Sequence, residues 1–539
     1  MQSNMIGSRR ALLKSGVALV GLAAIAACSP AKTETATAPT PVAPADPVVA
    51  TKFGKVKGYV EDGILGFKGV RYGADTGKAR FQPPADPEPW TDEKEAKAYG
   101  NSTPQNPAGD GGGLFKSWRP QPALPQSEDC LFLNVWTPAA DTKKRPVLVW
   151  FHGGGFTTGS GSSLSYDGVR LAKRGDVVVV TVNHRLNVFG HLNLAAYGPE
   201  FADSGTAGSL DMVHALKWVR DNIPAFGGDP GNVLIFGQSG GGAKICTLLG
   251  MESAKGLFHR AVIQSGPRIK HVTVADSAKA ADAFVKELGL TKANIAEIKT
   301  KPVADVLAAF AKVPAAGSGP VKDGRAIKVD PFDPKAADFS ADVPVMIGFC
   351  RTEGTSLEGG TNPKLFDLTW ETLPAELKRA LPKSDPAKII AQYKVTQPTI
   401  EAPEVYFEAT SDARFFQGSV TVADRRSALP GKVYFYEVDW VTPVMGGKRY
   451  VPHALEIGMV FDNVAKSESM SGTGADAQHI ADMMSETWLA FAKTGDPNNK
   501  TIPTWPAYTA KDRPMLVFRD KPGVENDIRA AERKLVAVA

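Results

Sequence analysis

The stretch that most constrains the fold is Phe236-Gly237-Gln238-Ser239-Gly240-Gly241-Gly242. An apolar run, Val233-Leu234-Ile235-Phe236, precedes it, and a segment of helical character, residues 243–249, follows it. This order predicts a strand, a sharp turn and a helix, with Ser239 at the tip of the turn. Glycines two residues before and after the serine leave the space that such a strained turn needs. The short pattern alone also fits an ordinary glycine-rich turn with an uninvolved serine.

The wider surroundings of Ser239 resemble a known family. Phe226, Gly227, Gly228, Asp229, Pro230 and Asn232 lead into the turn, and with it they resemble the active-site signature of type-B carboxylesterases. Residues 128–138 resemble the second signature of that family. The family is the cholinesterase-like branch of the α/β-hydrolases. The resemblance therefore implies an α/β-hydrolase domain over residues 48–539 and hydrolysis of carboxylic esters by a serine.

The order of elements also predicts an α/β fold. A continuous apolar run, typical of a strand covered on both faces, occupies residues 147–151. Further strands are predicted at residues 176–182, 233–236, 261–266, 343–348 and 432–438. Helical patterns separate them, which indicates a large, mostly parallel central sheet with helices on both faces. Residues 267–342 and about 361–430 read as helical insertions around the mouth of the active site.

A glycine-rich segment, His152-Gly153-Gly154-Gly155-Phe156, follows one predicted strand. Consecutive glycines allow backbone N–H groups to point into a cleft, where acyl transfer needs donors for a negatively charged oxygen. A merely flexible loop is the alternative, but the position ahead of the serine matches an oxyanion-hole motif. The resemblance implies that Gly154, Gly155 and Gly240 supply these donors.

A serine nucleophile needs a base and an acid that orients the base. The resemblance implies His453 as the base, Glu353 in Thr352-Glu353-Gly354 as the acid, and Ser265 as a polar residue supporting them. Asp330 and Asp342 are alternative acids, and each fits a surface carboxylate equally well. The chain order of serine, acid and histidine is the one that the α/β-hydrolase fold uses.

The resemblance also makes predictions about structural pairs. Arg80 is expected to pair with Glu128, and Arg185 with Asp211, although exposed pairs of this kind contribute little to stability. Relatives usually join the equivalent of Cys130 to an earlier cysteine, but here Thr103 stands near the expected place. We therefore expect no such disulfide.

Composition excludes several other functions. The net charge is +5 over 539 residues, and it falls to +2 without Arg9, Arg10 and Lys14 of the amino-terminal segment, which is too near neutral to indicate a nucleic-acid partner. Four cysteines and eight histidines show no metal-ligand spacing. Serine chemistry needs no cofactor, so none is expected, and the sequence does not indicate an oligomeric state.

The amino terminus reads as an export signal. Residues 1–27 combine Ser8-Arg9-Arg10-Ala11-Leu12-Leu13-Lys14, which resembles a twin-arginine signal, with an apolar run too short to span a membrane. Ile25-Ala26-Ala27-Cys28 resembles a bacterial lipobox, although a plain signal peptide with an incidental Cys28 is the alternative. Residues 28–47, rich in Pro, Ala and Thr, read as a tether. We expect a periplasmic enzyme, or one anchored to the cell envelope by a lipid on Cys28.

Substrate choice stays open at this level. Gln238 stands where many relatives carry an acidic residue, which removes an attraction for cationic esters. Lys448 and Arg449 precede His453 and hint at anionic esters, but such residues on loops are usually solvated. A catalytically inactive binding protein, a lipase with a long apolar lid, and an esterase specialised for one toxin, drug or polymer are the alternative functions. Substrate choice depends on the insertion loops.

Overall fold

Buried apolar strands build the sheets of this protein. The computed structural model describes residues 46–120 and 123–536. The strands are β1 (Val48–Thr51), β2 (Gly54–Lys57), β3 (Tyr59–Glu61), β4 (Ile64–Arg71), β5 (Lys94–Glu95), β6 (Phe132–Thr137), β7 (Arg145–Phe151), β8 (Val178–Val182), β9 (Gly228–Gln238), β10 (Arg260–Gln264), β11 (Val345–Cys350), β12 (Val433–Val438), β13 (Pro514–Phe518) and β14 (Gly523–Asn526).

Within the described residues, eleven strands form one sheet in the order β14-β13-β12-β11-β10-β9-β7-β8-β6-β4-β3. The strands from β13 to β8 in this order are parallel, and antiparallel strands extend both edges. The remaining strands, β1, β2 and β5, form a small second sheet. Because the carboxyl ends of parallel strands share one edge, the loops after β7, β9, β11 and β12 meet there. The predicted mostly parallel sheet is confirmed.

Helices cover both faces of the large sheet. They are α1 (Val169–Gly175), α2 (Asn187–His191), α3 (Ala207–Asn222), α4 (Gly240–Leu249), α5 (Val274–Glu287), α6 (Val303–Lys312), α7 (Glu358–Thr361), α8 (Leu373–Ala380), α9 (Pro386–Thr396), α10 (Ala402–Ser411), α11 (Gln417–Arg426), α12 (Glu456–Val460), α13 (Glu468–Ser471), α14 (Ala475–Thr494) and α15 (Ala530–Arg533). Side chains of α3, α4 and α11 share one buried cluster with Val147 and Val149, while those of α1, α12 and α14 share another with Leu148 and Trp150. Alternate residues of β7 therefore face opposite cores, as strand geometry requires.

The two predicted insertions are helical. Helices α5 and α6 lie in the first and have a hydrophobic cluster of their own, which includes Ala281, Phe284 and Val285. Helices α8, α9 and α10 share a further cluster in the second.

The predicted structural pairs are present and buried. Arg80 Nε lies 2.8 Å from Glu128 Oε2, and the two side chains are only 6% and 12% exposed. Arg185 Nη2 lies 2.6 Å from Asp211 Oδ1, with both groups buried. Cys130 is a free, buried cysteine, and the Thr103 hydroxyl donates to its sulfur at 3.3 Å.

Two details differ from the predictions. Helix α4 begins at Gly240, three residues before the predicted start at residue 243. Glycine disfavours a helix, so the sequence indicated a later start. Close packing against the neighbouring backbone requires glycine at these three positions within the helix. Strands β13 and β14 were not predicted. The sequence analysis missed the apolar run of β13, whereas β14 is short and shows no clear alternation.

The predicted signal peptide, Cys28 and nearly all of the predicted tether lie outside the described residues, so these stay predictions. None of the helices within residues 46–120 and 123–536 is both long and apolar enough to cross a membrane.

Candidate active site

Ser239 occupies a strained turn between β9 and α4. Its backbone has φ +60° and ψ −122°, a conformation that costs about 1–3 kcal/mol for a residue with a side chain. Neighbouring glycines make the turn possible, because a Cβ on Gly240 would lie 2.2 Å from Gly155 O and one on Gly241 would lie 2.1 Å from Phe151 O. The half-buried Ser239 is thereby presented at the carboxyl edge of the sheet.

The glycine loop after β7 lies against this turn. Gly154 and Gly155 have φ of +84° and +62°, a region that favours glycine. Their N–H groups donate to no acceptor among the described residues. A Cβ on Gly240 would lie 2.4 Å from Gly155 N, so these two backbones are in close contact. Free N–H groups beside a serine are what an oxyanion requires.

The loops after β11 and β12 bring Glu353 and His453 together. The two side chains form a hydrogen bond between Glu353 Oε2 and His453 Nδ1, and both are buried. Glu353 Oε1 accepts a second hydrogen bond, 2.8 Å from the Cys350 N–H. These contacts orient the carboxylate and hold the Nδ1 side of the imidazole.

Ser239 and His453 line the same cavity. Within the described residues, no hydrogen bond joins their side chains. Instead, Gln238 Nε2 lies 3.3 Å from each ring nitrogen of His453. Hydrogen bonds between catalytic groups are often long without substrate. Gln238 therefore contacts the imidazole directly, a contact that the sequence analysis missed.

A second buried carboxyl group lies behind the pair. Glu456 accepts from the Cys350 thiol at 3.0 Å and from the Ser265 hydroxyl at 3.3 Å. Burial raises the pKa of Glu456, and the nearby charge of Glu353 raises it further. Ser265, which the sequence analysis proposed as a supporting residue, lines the same cavity as Ser239. The sequence analysis missed Glu456, although a lone acid within an apolar segment, Ala454-Leu455-Glu456-Ile457, was a usable signal.

The other candidates lie elsewhere. Asp330 accepts from His271 N at 2.8 Å and pairs with Lys322, while Asp342 is exposed. Arg449 donates to the carbonyl oxygens of Thr355 and Gly112, both at 3.2 Å, and Lys448 is exposed. Neither aspartate forms a hydrogen bond or an ion pair with His453.

Two cavities meet at Ser239. The first, of about 610 Å³, is called the Trp118 cavity and is lined by Phe115, Trp118, Tyr166, Ile457, Ser239 and His453 among others. The second, of about 670 Å³, is called the Arg268 cavity and is lined by Phe156, Arg268, Arg414, Phe415, Gly155 and Ser239 among others. An ester has an acyl side and an alcohol side, and one cavity on each side of the serine can accommodate both.

In the described part of the chain, no group of three or more His, Cys, Asp or Glu side chains could hold a metal ion.

The sheet, with its strained serine turn between a central strand and a helix, defines an α/β-hydrolase. The chain belongs to the carboxylesterase family, because the model described as "Carboxylesterase family" matches residues 45–536.

Named relatives agree with this membership. The chain is 34% identical to para-nitrobenzyl esterase of Bacillus subtilis (strain 168), over 90% of this chain and 98% of that protein. It is 32% identical to phenmedipham hydrolase of Pseudarthrobacter oxydans, over 88% and 95%. Its fold is similar to that of Geobacillus stearothermophilus carboxylesterase EST55, with a TM-score of 0.79, 36% identity, and coverage of 91% and 99%. A Clostridium hathewayi esterase described as able to hydrolyse aliphatic aromatic polyesters has a TM-score of 0.78 at 33% identity, with coverage of 91% and 97%. The protein is therefore a carboxylic ester hydrolase.

Proposed function

We propose that Ser239, His453 and Glu353 hydrolyse small carboxylic esters through an acyl-enzyme intermediate. The observation that carries the proposal is the buried Glu353–His453 hydrogen bond at the wall of the cavity that also holds the strained Ser239. The pairing leaves His453 Nε2 as the nitrogen available to a serine proton.

The reaction would proceed in two stages. Ser239 Oγ attacks the ester carbonyl as its proton passes to His453 Nε2, and the N–H groups of Gly154, Gly155 and Gly240 stabilise the negative oxygen. The C–O bond to the alcohol then breaks, and His453 returns the proton to the leaving alcohol. Water, deprotonated by the same imidazole, attacks the acyl-enzyme, and the acid leaves with Ser239 restored. Glu353 stabilises the imidazolium in both stages.

Replacing the nucleophile tests the assignment. Ser239→Ala is expected to lower kcat for p-nitrophenyl acetate by about 10⁴-fold or more and to abolish labelling by a fluorophosphonate probe. Ser253→Ala, at an exposed position, is the matched control and should keep both. Retained hydrolysis and labelling in a folded Ser239→Ala protein would exclude Ser239 as the nucleophile.

The substrate range can be narrowed by measurement. The relatives named for para-nitrobenzyl esters and for phenmedipham, together with two cavities of similar size, support compact esters with an aromatic or aliphatic group on either side. Rates on a series of p-nitrophenyl esters of increasing acyl length should fall once the acyl chain is longer than its cavity.

The similarity to the polyester-hydrolysing protein favours a polymer as the second candidate substrate, and release of soluble acids from polyester film tests it.

Export and anchoring remain proposals from the sequence. We propose that the twin-arginine signal exports the folded enzyme and that Cys28 carries the lipid. Radiolabelled palmitate should label the full-length chain in bacteria but not its Cys28→Ala variant. Equal labelling of the two, or an unchanged membrane fraction in the variant, would contradict lipidation at this residue.

A further inference from the structure

Arg268 lies at the edge of the active site and forms no ion pair within residues 46–120 and 123–536. It follows β10 in Gly266-Pro267-Arg268 and lines the Arg268 cavity together with Ser239. Among the described residues, no hydrogen bond or ion pair engages its guanidinium, and its Nε is a buried donor without an acceptor. Burial lowers the pKa of Arg268 to about 10, so the group stays positively charged at neutral pH.

Nearby groups do not neutralise Arg268. Its guanidinium carbon lies 5.0 Å from the ring centre of Phe156, a contact that offsets only part of the desolvation of a charge. Asp330 is the carboxylate whose attraction it feels, but Asp330 already pairs with Lys322 and accepts from the His271 N–H. The charge of Arg268 is therefore available to a ligand.

The remaining charges of the cavity have the same sign. The cavity wall includes no Asp or Glu among the described residues, and its second arginine, Arg414, is bound to Glu358 at 2.6 Å. The Nζ of Lys244, which is buried behind the wall and has its pKa lowered to about 7, lies 5.6 Å from the ring centre of Phe156. An anion entering this cavity meets attraction, while a cation meets none.

Gly319 lies beside the end of the Arg268 side chain. A Cβ on Gly319 would lie 3.1 Å from Nη2 and 3.3 Å from Nη1 of Arg268, so a side chain at this position would crowd the guanidinium. A planar guanidinium with free donors matches a carboxylate by two parallel hydrogen bonds.

We propose that Arg268 binds a carboxylate on the substrate, so that this esterase prefers esters carrying a second, ionised carboxyl group. Two chemical classes present such a group: half-esters of dicarboxylic acids, and hydroxy acids that are esterified at the hydroxyl group and keep a free carboxylate. The proposal rests on the proposed function, because Ser239 at the mouth of the same cavity must attack the ester. It assigns to Arg268 the specificity that the sequence analysis associated with Lys448 and Arg449.

Matched ester pairs test the preference. Monomethyl adipate carries a carboxylate on its acyl side, and the methyl ester of adipamic acid replaces it with a neutral amide of the same shape. The acetate of 6-hydroxyhexanoic acid and the acetate of its amide form the corresponding pair for the alcohol side. Hydrolysis of all four is followed by titration of released acid, and kcat/KM is compared within each pair. The wild-type protein is expected to favour the anionic member of one pair, and which pair responds shows which side of the ester occupies the cavity.

Three variants connect the preference to Arg268. Arg268→Gln should lower kcat/KM for the anionic ester about 10- to 100-fold and leave its neutral partner within about threefold, as loss of a charged hydrogen bond predicts. Arg268→Lys should restore part of the loss. Arg414→Gln, on the same wall but already paired, is the control, and it should change the ratio much less.

The outcomes separate the two proposals. An anionic-to-neutral ratio that stays the same in Arg268→Gln, while neutral esters are still hydrolysed, overturns the role of Arg268 and leaves the proposed function intact. Failure of the wild-type protein to hydrolyse any of the four esters overturns the proposed function and this inference with it. Thermal unfolding of each variant shows whether the fold is retained. Where Arg268→Gln does not fold, the anionic-to-neutral ratio of kcat/KM in Arg268→Lys is compared with that of the wild type instead.

Discussion

Lys244 is buried directly behind the glycine loop. Its Nζ donates to His152 O at 2.8 Å, and no ion pair forms with any residue in the described part of the chain. Burial lowers the pKa of Lys244 to about 7 from an ordinary value of 10.5. The side chain therefore anchors the residue that starts the loop, at a cost in stability that depends on pH.

The sign of this dependence follows from linkage. The folded state binds the Lys244 proton more weakly than the unfolded state. The free energy of unfolding is therefore highest above pH 10.5, where the amine is neutral in both states, and it decreases as pH falls towards 7. Lys244→Met should therefore gain stability relative to the wild type as pH falls through this window, by at most about 5 kcal/mol. Thermal unfolding of both proteins from pH 7 to 10.5 measures the difference, and a difference independent of pH would contradict the buried charge.

The two buried carboxyl groups near His453 differ in their contacts. Glu353 accepts from His453 and from the Cys350 N–H, contacts that suit a carboxylate. Glu456 is the group that burial and the neighbouring charge of Glu353 hold protonated to higher pH. Two such groups do not readily ionise together in a dry site.

Paired amide substitutions test this division. Burial raises the pKa of Glu456 and so favours its protonated form, which an amide resembles in charge. Glu456→Gln is therefore expected to keep kcat near neutral pH within about tenfold of the wild type. Glu353→Gln removes the charge that stabilises the imidazolium, so kcat should fall by about 10²- to 10⁴-fold. Equal losses in the two variants would show that both carboxyl groups act as charges.

At the scale of elements, the decisive junction is that of β9, α4 and the loop after β7. The helix begins with glycines because the neighbouring backbone leaves no room for side chains. Gly240 is in contact with Gly155, so the spacing between two proposed oxyanion donors depends on its missing Cβ.

Gly240→Ala tests this close approach. The added methyl group would lie 2.2 Å from Gly155 O and would displace the loop, so kcat should fall by about 10²- to 10³-fold, as for loss of one oxyanion donor. Gly256→Ala is the control, since its φ is +76° but nothing lies within 4 Å of the new Cβ. It should cost about 1 kcal/mol of stability through strain and leave kcat unchanged. An active Gly240→Ala enzyme would contradict the donor arrangement.

At the scale of the whole molecule, Arg80 connects separate parts of the chain. Its guanidinium pairs with Glu128 and donates to Ile298 O at 2.9 Å and to Lys301 O at 2.8 Å. The segment before β6 is thereby fixed to the first helical insertion. Because the pair is nearly buried, removing one partner leaves an uncompensated charge.

Arg80→Met should therefore destabilise the protein by about 3–5 kcal/mol, the range for breaking a buried pair. Lys312→Met is the control, because its pair with Glu287 is solvent-exposed and is expected to contribute less than about 1 kcal/mol. Thermal unfolding compares the two, and a small shift in Arg80→Met would show that the insertion is held by other contacts.

The sequence predicted the features that depend on local pattern. Runs such as Val147-Leu148-Val149-Trp150-Phe151 predicted buried strands, because a strand covered on both faces must be apolar throughout. The alternation of these runs with helical segments predicted the parallel sheet. The turn at Ser239 could be predicted because its glycines are required by the backbone of the turn itself.

Contacts between distant residues were determined by the tertiary structure alone. Three features of the site depend on loops that only the sheet brings together. They are the approach of Gln238 to His453, the contacts of Glu456 with Cys350 and Ser265, and the lack of a partner for Arg268 among the described residues. A residue type in a sequence shows what charge or hydrogen bond it can offer, and the fold decides whether a partner is within reach. For this protein, local pattern determined the architecture and the place of the serine, while packing at the carboxyl edge of the sheet determined which charges surround it.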